Sequence, residues 1–93
     1  MVIKLGLIAN RHPLPVSEYL MEADATERYG YHQGLYDEII RRTARYAGVD
    51  VRLYATGLTI AAIAAVKGLE AAGCTVVVMN YDRESDSYIE ISL

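Results

Sequence analysis

The sequence predicts a small three-layer α/β domain with a mostly parallel sheet, and two stretches carry that prediction. Residues 74–79 form a short, nearly continuous apolar run, which is typical of a parallel strand covered on both faces. Residues 60–66 are alanine-rich with almost no polar side, so they predict a helix that packs against the sheet and against another part of the molecule. The 93 residues are enough for one domain, 1–93.

The first half of the chain predicts a strand and two helices. Residues 2–9 are the first strand. A loop with two prolines follows, and Ser17 is predicted to be the N-cap of a short helix in the acidic segment 18–27. Residues 35–47 carry apolar side chains at helical spacing, which predicts a second helix that ends at Gly48.

The second half predicts a strand, a helix and a hairpin. Residues 49–54 alternate apolar and polar side chains, so this strand has one wetter face. The helix 60–72 ends where Gly73 supplies a left-handed residue, and the strand 74–79 follows. After a polar turn, residues 88–93 alternate again and predict an antiparallel edge strand.

The resulting order is β-α-β-α-β-β, a small Rossmann-like arrangement with a C-terminal antiparallel hairpin strand. If the second and third strands flank the first, helices cover both faces and a switch point falls between strands one and three. Ligands bind at such points in open α/β sheets. Three polar segments would meet there: Asn10, Arg11 and His12; Thr56, Gly57, Leu58 and Thr59; and Tyr81, Asp82 and Arg83.

Composition excludes several classes of function. A net charge of −3 argues against binding to long nucleic acid, although a small anionic ligand needs only a local site. The sequence has no P-loop, dinucleotide-binding motif or paired-cysteine spacing, and only two histidines, so we expect no metal and no cofactor. The N-terminus opens directly into a strand without a leader pattern, which predicts a cytoplasmic protein that does not enter a membrane.

Each candidate residue also has a purely structural interpretation. Thr56 and Thr59 can be helix caps, and Arg83 can pair with an acidic residue of its own turn. Arg11 can pair with the acidic segment. His12 precedes a proline in a loop and is the hardest of the five to explain structurally.

The segment from Tyr54 to Ile91, YATGLTIAAIAAVKGLEAAGCTVVVMNYDRESDSYIEI, resembles the C-terminal part of the CRISPR-associated Rossmann-fold (CARF) domains. In that family a threonine-glycine turn precedes an alanine-rich helix, and the next strand leads into a D-R-E hairpin. The first strand, ending at Asn10-Arg11-His12, is similar to the family's other ligand loop. The chain departs from the family at Leu58 and Ile60, where a glycine and a lysine are expected.

The resemblance implies a homodimer that binds a cyclic oligoadenylate in CRISPR defence signalling and, as in the ring nucleases, cleaves it without a metal. Thr56 to Thr59 would bind phosphates, and Asn10 would contact the ligand. Arg11 and Arg83 would offset charge, and His12 would protonate the leaving oxygen. All eight aromatic residues are tyrosines, and Tyr31 or Tyr81 would stack on adenines. The alternative is a non-catalytic α/β module that binds a nucleotide or a partner protein.

Overall fold

The structure is a computed structural model that describes residues 1–10 and 13–93. Its five-stranded sheet has the order β2-β1-β3-β4-β5, in which the first four strands are parallel and the last pair is antiparallel. The predicted α/β class, the mostly parallel sheet and the C-terminal hairpin are confirmed. The elements are β1 (Val2–Ile8), β2 (Glu18–Met21), α1 (Ala25–Tyr29), α2 (Gln33–Thr43), a 3₁₀ turn (Ala44–Tyr46), β3 (Asp50–Tyr54), α3 (Thr59–Ala71), β4 (Thr75–Asp82) and β5 (Ser87–Ser92).

The segment after the first loop differs most from the prediction, because it begins with a strand. Residues 18–21 form β2, parallel to β1, and helix α1 begins only at Ala25. Ser17 is therefore not a helix N-cap. Its backbone N–H and its hydroxyl both donate to the carbonyl of Lys4, each over 3.0 Å, and so tie the start of β2 to β1. A four-residue strand is too short to show a period of two, so its pairing with β1 decides its conformation.

The strand order also differs from the predicted one. β4 pairs with β3 rather than with β1, and β2 occupies the free side of β1. The chain thus moves from β1 to β2 on one side and returns across β1 to β3 on the other. This reversal places the topological switch point between β1 and β3, whereas the sequence predicted it between β1 and the strand that is β4 in the structure.

Helices α2 and α3 pack against each other on one face of the sheet. Both crossovers, from β2 to β3 and from β3 to β4, run in the same direction, and right-handed connections then leave their helices on the same side. The two helices approach closely at Gly68, where an added Cβ would lie 2.3 Å from Oγ1 of Thr43. The buried apolar core between these helices and the sheet includes Leu5, Leu7, Leu35, Ile39, Val51, Leu53, Ala61, Ala64, Ala65 and Leu69.

The opposite face of the sheet was predicted to be covered by a helix. In the part of the chain that the structure describes, the β1–β2 connection contains no helix. Instead, the side chains of Leu14 and Tyr19 lie over Gly6. A Cβ added at this glycine would lie 2.5 Å from the Tyr19 ring and 3.5 Å from Leu14. Tyr54 and Met79 on this face are also buried.

Candidate functional site

The carboxyl ends of β1, β3 and β4 meet at one edge of the sheet. Gly6 is paired with Tyr54, and Tyr54 is paired with Met79, so these three strands are in register near their ends. The loop after β1 and the turn after β3 consequently leave the sheet as direct neighbours. The last three residues of β4 extend past the end of β3. Two of the three segments predicted from the sequence thus adjoin, and the third projects beyond them.

Helix α3, which follows the turn after β3, has no side-chain cap at its N-terminus. Gly57 has a φ of 91°, which an L-residue rarely adopts, and Leu58 is the N-cap with extended backbone angles. Thr59 is the first helical residue and is exposed, so neither it nor Thr56 is the N-cap. The structural interpretation of these threonines as caps is therefore not supported.

The first turn of α3 leaves an electropositive backbone end at the sheet edge. The N–H groups of Ala61 and Ala62 both donate to the carbonyl of Leu58, at 3.1 and 3.2 Å. Helix geometry gives the N–H groups of Thr59 and Ile60 no partner inside the helix. The first turn also contains no acidic side chain that would offset the positive end of the helix dipole.

The loop after β1 contributes Asn10 to the same edge. Asn10 is exposed and has a φ of 61°, a left-handed conformation that asparagine tolerates better than most residues. This conformation turns the chain sharply as it leaves β1. Arg11 and His12, predicted to contact the ligand and to take part in catalysis, lie outside the described residues.

The β4–β5 hairpin presents Arg83 without a carboxylate partner. The carboxylate of Asp82 accepts hydrogen bonds from the backbone N–H and the hydroxyl of Ser85, at 3.2 and 2.6 Å, and these lower the pKa of Asp82. The carboxylate of Asp86 accepts the phenol of Tyr81 at 2.5 Å, which raises the pKa of Tyr81. Among the described residues no carboxylate lies within 4.0 Å of the Arg83 guanidinium. The alternative in which Arg83 pairs within its own turn is therefore not what the structure contains.

Tyr31 does not join the other candidates. It lies in the bend between α1 and α2, with 54% of its surface exposed, and follows the outer strand β2. Tyr81 belongs to β4, and β1 and β3 separate these two strands. Of the two tyrosines predicted to stack on bases, Tyr81 thus belongs to the sheet and Tyr31 to a connection between helices.

A group of tyrosines on the sheet itself was not predicted from the sequence. Tyr19, Tyr54, Tyr81 and Tyr88 come from four different strands and share the face that the helices leave free. The rings of Tyr54 and Tyr88 meet edge to face at 4.9 Å, and those of Tyr81 and Tyr88 at 5.6 Å. The available signal was that Tyr54, Tyr81 and Tyr88 each stand at or next to the end of a predicted strand, but Tyr19 was predicted to lie in a helix and the common face depends on the pairing.

A second polar region lies on the helix layer. Glu22, Arg41, Arg42 and Arg45 line an open cavity of about 370 Å³. The guanidinium of Arg42 already donates to the carboxylates of Glu22 and Glu38, to the phenol of Tyr29 and to the carbonyl of Leu20. With these donors engaged, Arg42 holds elements together and has little capacity left for a ligand.

Two further properties concern the described residues only. They contain no group of three or more histidine, cysteine, aspartate or glutamate side chains arranged to hold a metal ion. None of their helices has the length and apolar character needed to span a membrane.

Comparison with protein-family models, with curated proteins and with solved structures finds no match. Membership of the CARF family therefore stays a prediction. The geometry of the carboxyl edge is what remains to support a function, and it consists of the uncapped start of α3, the left-handed Asn10 beside it and the projecting hairpin with Arg83.

Proposed function

We propose that the domain binds a cyclic oligoadenylate, with the phosphates at the carboxyl edge of its sheet. The observation that supports this most is the start of α3, where Thr59 and Ile60 present N–H groups and no acidic side chain occupies the first turn. Backbone N–H groups and the helix dipole together favour a phosphate at such a position. The exposed hydroxyl of Thr59 adds a further donor.

The cation that the family's lysine would supply has to come from elsewhere in this chain, because Ile60 occupies that position. Arg83 is the described candidate, since it is exposed and has no described carboxylate partner. Its turn begins four residues beyond Met79, which is paired with the last residue of β3. It therefore lies about 13 Å past that pair along the strand, at about 3.3 Å per residue. We assign it to the part of the ligand that extends from the edge along the hairpin.

Cleavage of the bound ring is the second part of the proposal. A ribose 2′-hydroxyl loses its proton to water and attacks the adjacent phosphorus, the bond to the 5′-oxygen breaks, and a 2′,3′-cyclic phosphate remains while the leaving oxygen takes a proton. This reaction needs in-line geometry and charge neutralisation more than a protein nucleophile. Arg11 and Arg83 would neutralise charge on the phosphate, and His12 would donate the proton.

A homodimer is the third part, and an exposed apolar surface on α3 and β5 supports it. Ile63 of α3, Ile91 of β5 and the terminal Leu93 are each between 44% and 63% exposed. Ile63 and Leu93 line an open groove of about 450 Å³, and β5 is an edge strand whose outer side has no partner strand among the described residues. Contiguous apolar surface beside a free edge strand favours association.

The experiment that tests the proposal is incubation of the protein with cyclic oligoadenylates of several ring sizes, followed by chromatography of the products. We expect one ring size to be converted to linear products ending in a 2′,3′-cyclic phosphate. His12→Ala and Arg11→Ala should slow conversion by roughly 10²–10⁴-fold. Binding without conversion favours the non-catalytic module, and absence of binding removes the proposal.

A further inference from the structure

We propose that the four tyrosines on the helix-free face of the sheet form a stacking surface for nucleobases. This tyrosine face consists of Tyr19, Tyr54, Tyr81 and Tyr88. The inference deepens the proposed function and rests on it for the nucleotide nature of the ligand. It assigns the bases of that ligand to a surface separate from the phosphate site at α3.

Strand pairing places the four side chains on one face. Tyr19 is paired with Gly6, and Gly6 with Tyr54, so these residues share a face of the sheet. Tyr81 lies two residues after Met79, the partner of Tyr54, and is itself paired with Tyr88. The opposite face is the one that α3 covers, because Val78, next to Met79, lines a groove with α3 residues. The tyrosine face thus extends across all five strands.

Three of the four rings, those of Tyr54, Tyr81 and Tyr88, are in contact, and Tyr19 lies beside them across Gly6. Tyr88 receives edge-to-face contacts from Tyr54 and Tyr81, with interplanar angles of 75° and 62°. Gly6 leaves room for the ring of Tyr19, because any Cβ at that position would fall 2.5 Å from it. The hydrogen bond from Tyr81 to Asp86 fixes the outermost ring. Rings held in place in this way lose little freedom when a planar ligand stacks on them.

The four tyrosines differ in how much of each side chain is exposed to solvent. Tyr54 is only 4% exposed and packs against Tyr88, whereas Tyr81 is 42% exposed and Tyr88 and Tyr19 are partly exposed. Any base has an aromatic face, so stacking of this kind tolerates different bases. Tyr81 and Tyr88, the rings at the carboxyl end, are the ones we assign to direct contact with the ligand.

The same face also carries charged side chains toward the amino ends of its parallel strands. Lys4 and Arg52 are paired neighbours two residues before Gly6 and Tyr54, so they lie about 7 Å from the tyrosines along the strands. Arg52 pairs with Glu90 at 3.4 Å. Lys4 has no carboxylate within 4.0 Å among the described residues, and Asp50, which lies two residues before Arg52 and is paired with Val2, shares this face.

The tyrosine face also adjoins the proposed phosphate site. Tyr81 lies two residues beyond the pairing level of Tyr54 with Met79, at the same edge where the turn to α3 begins. A ligand of several nucleotides that passes over this edge can therefore place a phosphate at α3 and a base on Tyr81. A ring of several nucleotides would repeat this contact on a second copy of the chain.

The test uses linear tetra-adenylate and an abasic oligomer of the same length and charge, followed by tyrosine fluorescence and by calorimetry. The chain contains no tryptophan, so its emission reports tyrosine directly. We expect the tetra-adenylate to quench this emission and to bind at least tenfold more tightly than the abasic oligomer. Tyr81→Leu and Tyr88→Leu should each remove about tenfold of the tetra-adenylate affinity without changing that for the abasic oligomer.

Tyr31→Leu is the matched control, since it removes an exposed tyrosine away from this face and should leave both affinities at the parental values. Tyr81→Phe should keep the stacking contribution, and thermal melts identify any variant that fails to fold. Equal affinity for the two oligomers, or parental affinity in both leucine variants, would overturn the inference. If the abasic oligomer still bound in a Thr59-dependent manner, the phosphate site would survive that result. If a cyclic ring bound the parent and both leucine variants equally, base stacking on this face would be excluded and the proposed function would stand.

Discussion

At the scale of single residues, Arg42 connects more elements than any other described side chain. Its guanidinium donates to Glu38 on α2 at 2.8 Å, to Glu22 after β2 at 2.7 Å and to the phenol of Tyr29 on α1 at 3.3 Å. Glu38 also accepts a bidentate contact from Arg41. Hydrogen bonds from Arg41 first and Arg42 second lower the pKa of Glu38 from 4.5 to about 2.

This cluster predicts a pH dependence of stability. Because the folded-state pKa of Glu38 is lowered, its contribution is fully present above about pH 4.5 and is lost as the pH falls toward 2. The unfolding free energy of the parent should fall as the pH falls through this window, and we expect a smaller fall for Glu38→Gln. Urea denaturation at a series of pH values from 2 to 6 measures it. A variant whose stability falls with the parental slope would show that the pairs contribute nothing.

A substitution at Thr59 should change ligand affinity while leaving the stability of the fold almost unchanged. It is exposed and follows the N-cap, so Thr59→Val should change stability by less than about 0.5 kcal/mol. Loss of a donor to a charged phosphate should weaken binding of a phosphorylated ligand by roughly tenfold. Titration calorimetry checks the affinity and a thermal melt checks the fold.

Thr75→Val is the matched control for that experiment, since Thr75 is exposed at the amino end of β4, away from the carboxyl edge. It should bind with parental affinity. If Thr59→Val also binds with parental affinity, the hydroxyl makes no contact with the ligand.

At the scale of elements, the contact between α2 and α3 depends on the absence of a side chain at one position. An added Cβ at Gly68 would approach Oγ1 of Thr43 to 2.3 Å and its Cγ2 to 3.0 Å. We expect Gly68→Ala to lower the unfolding free energy by about 1–3 kcal/mol, because the two helices must move apart. Chemical denaturation of the parent and the variant gives the difference.

A double-mutant cycle tests this contact further. Its second variant is Thr43→Ala, which removes the Oγ1 and Cγ2 atoms that an added Cβ at Gly68 would approach most closely. Combined with Gly68→Ala, it should recover a part of the lost stability relative to the sum of the single changes. Strictly additive effects would mean that the helices do not meet at this pair.

Elements with a long local pattern could be predicted from the sequence, whereas short ones could not. The apolar run that became α3 and the alternation that became β5 both specify their conformation locally. The strand β2 has four residues, and its conformation depends on hydrogen bonds with β1 that no local pattern encodes. The strand order was wrong for the same reason, since pairing depends on contacts between distant segments.

The candidate site follows the same division. The turn at Gly57 and the left-handed Asn10 could be located because loops at the carboxyl ends of parallel strands share an edge. The tyrosine face could not, because it exists only once β2 joins β1 and the register sets Tyr19 level with Tyr54. Arg83 could be named as a candidate, but its lack of a carboxylate partner depends on Ser85 and Tyr81 engaging its neighbours.

At the scale of the whole molecule, the helices and the sheet leave one apolar surface without cover in the described part of the chain. Part of the cover that α3 needs comes from α2, but Ile63 and Ile91 remain about half exposed beside the free edge of β5. Self-association through this surface would bury them and would pair two edge strands.

We therefore expect light scattering to give twice the chain mass at micromolar concentration. Ile91→Lys should give the monomer mass, because it places a charge in the middle of the surface. Val2→Lys changes an equally exposed apolar residue at the start of β1 and serves as the control that keeps the dimer. A parent protein that scatters as a monomer contradicts the interface.

The most direct measurement of the central claim is calorimetric titration of the protein with cyclic oligoadenylates, with the stoichiometry as the deciding quantity. We predict saturation at one ring per two chains for one ring size. We also predict about tenfold weaker binding for Thr59→Val and for Arg83→Ala, both of which should melt like the parent. Saturation at one ring per chain would contradict the dimeric site, and no heat of binding with any ring size would contradict the proposed function itself.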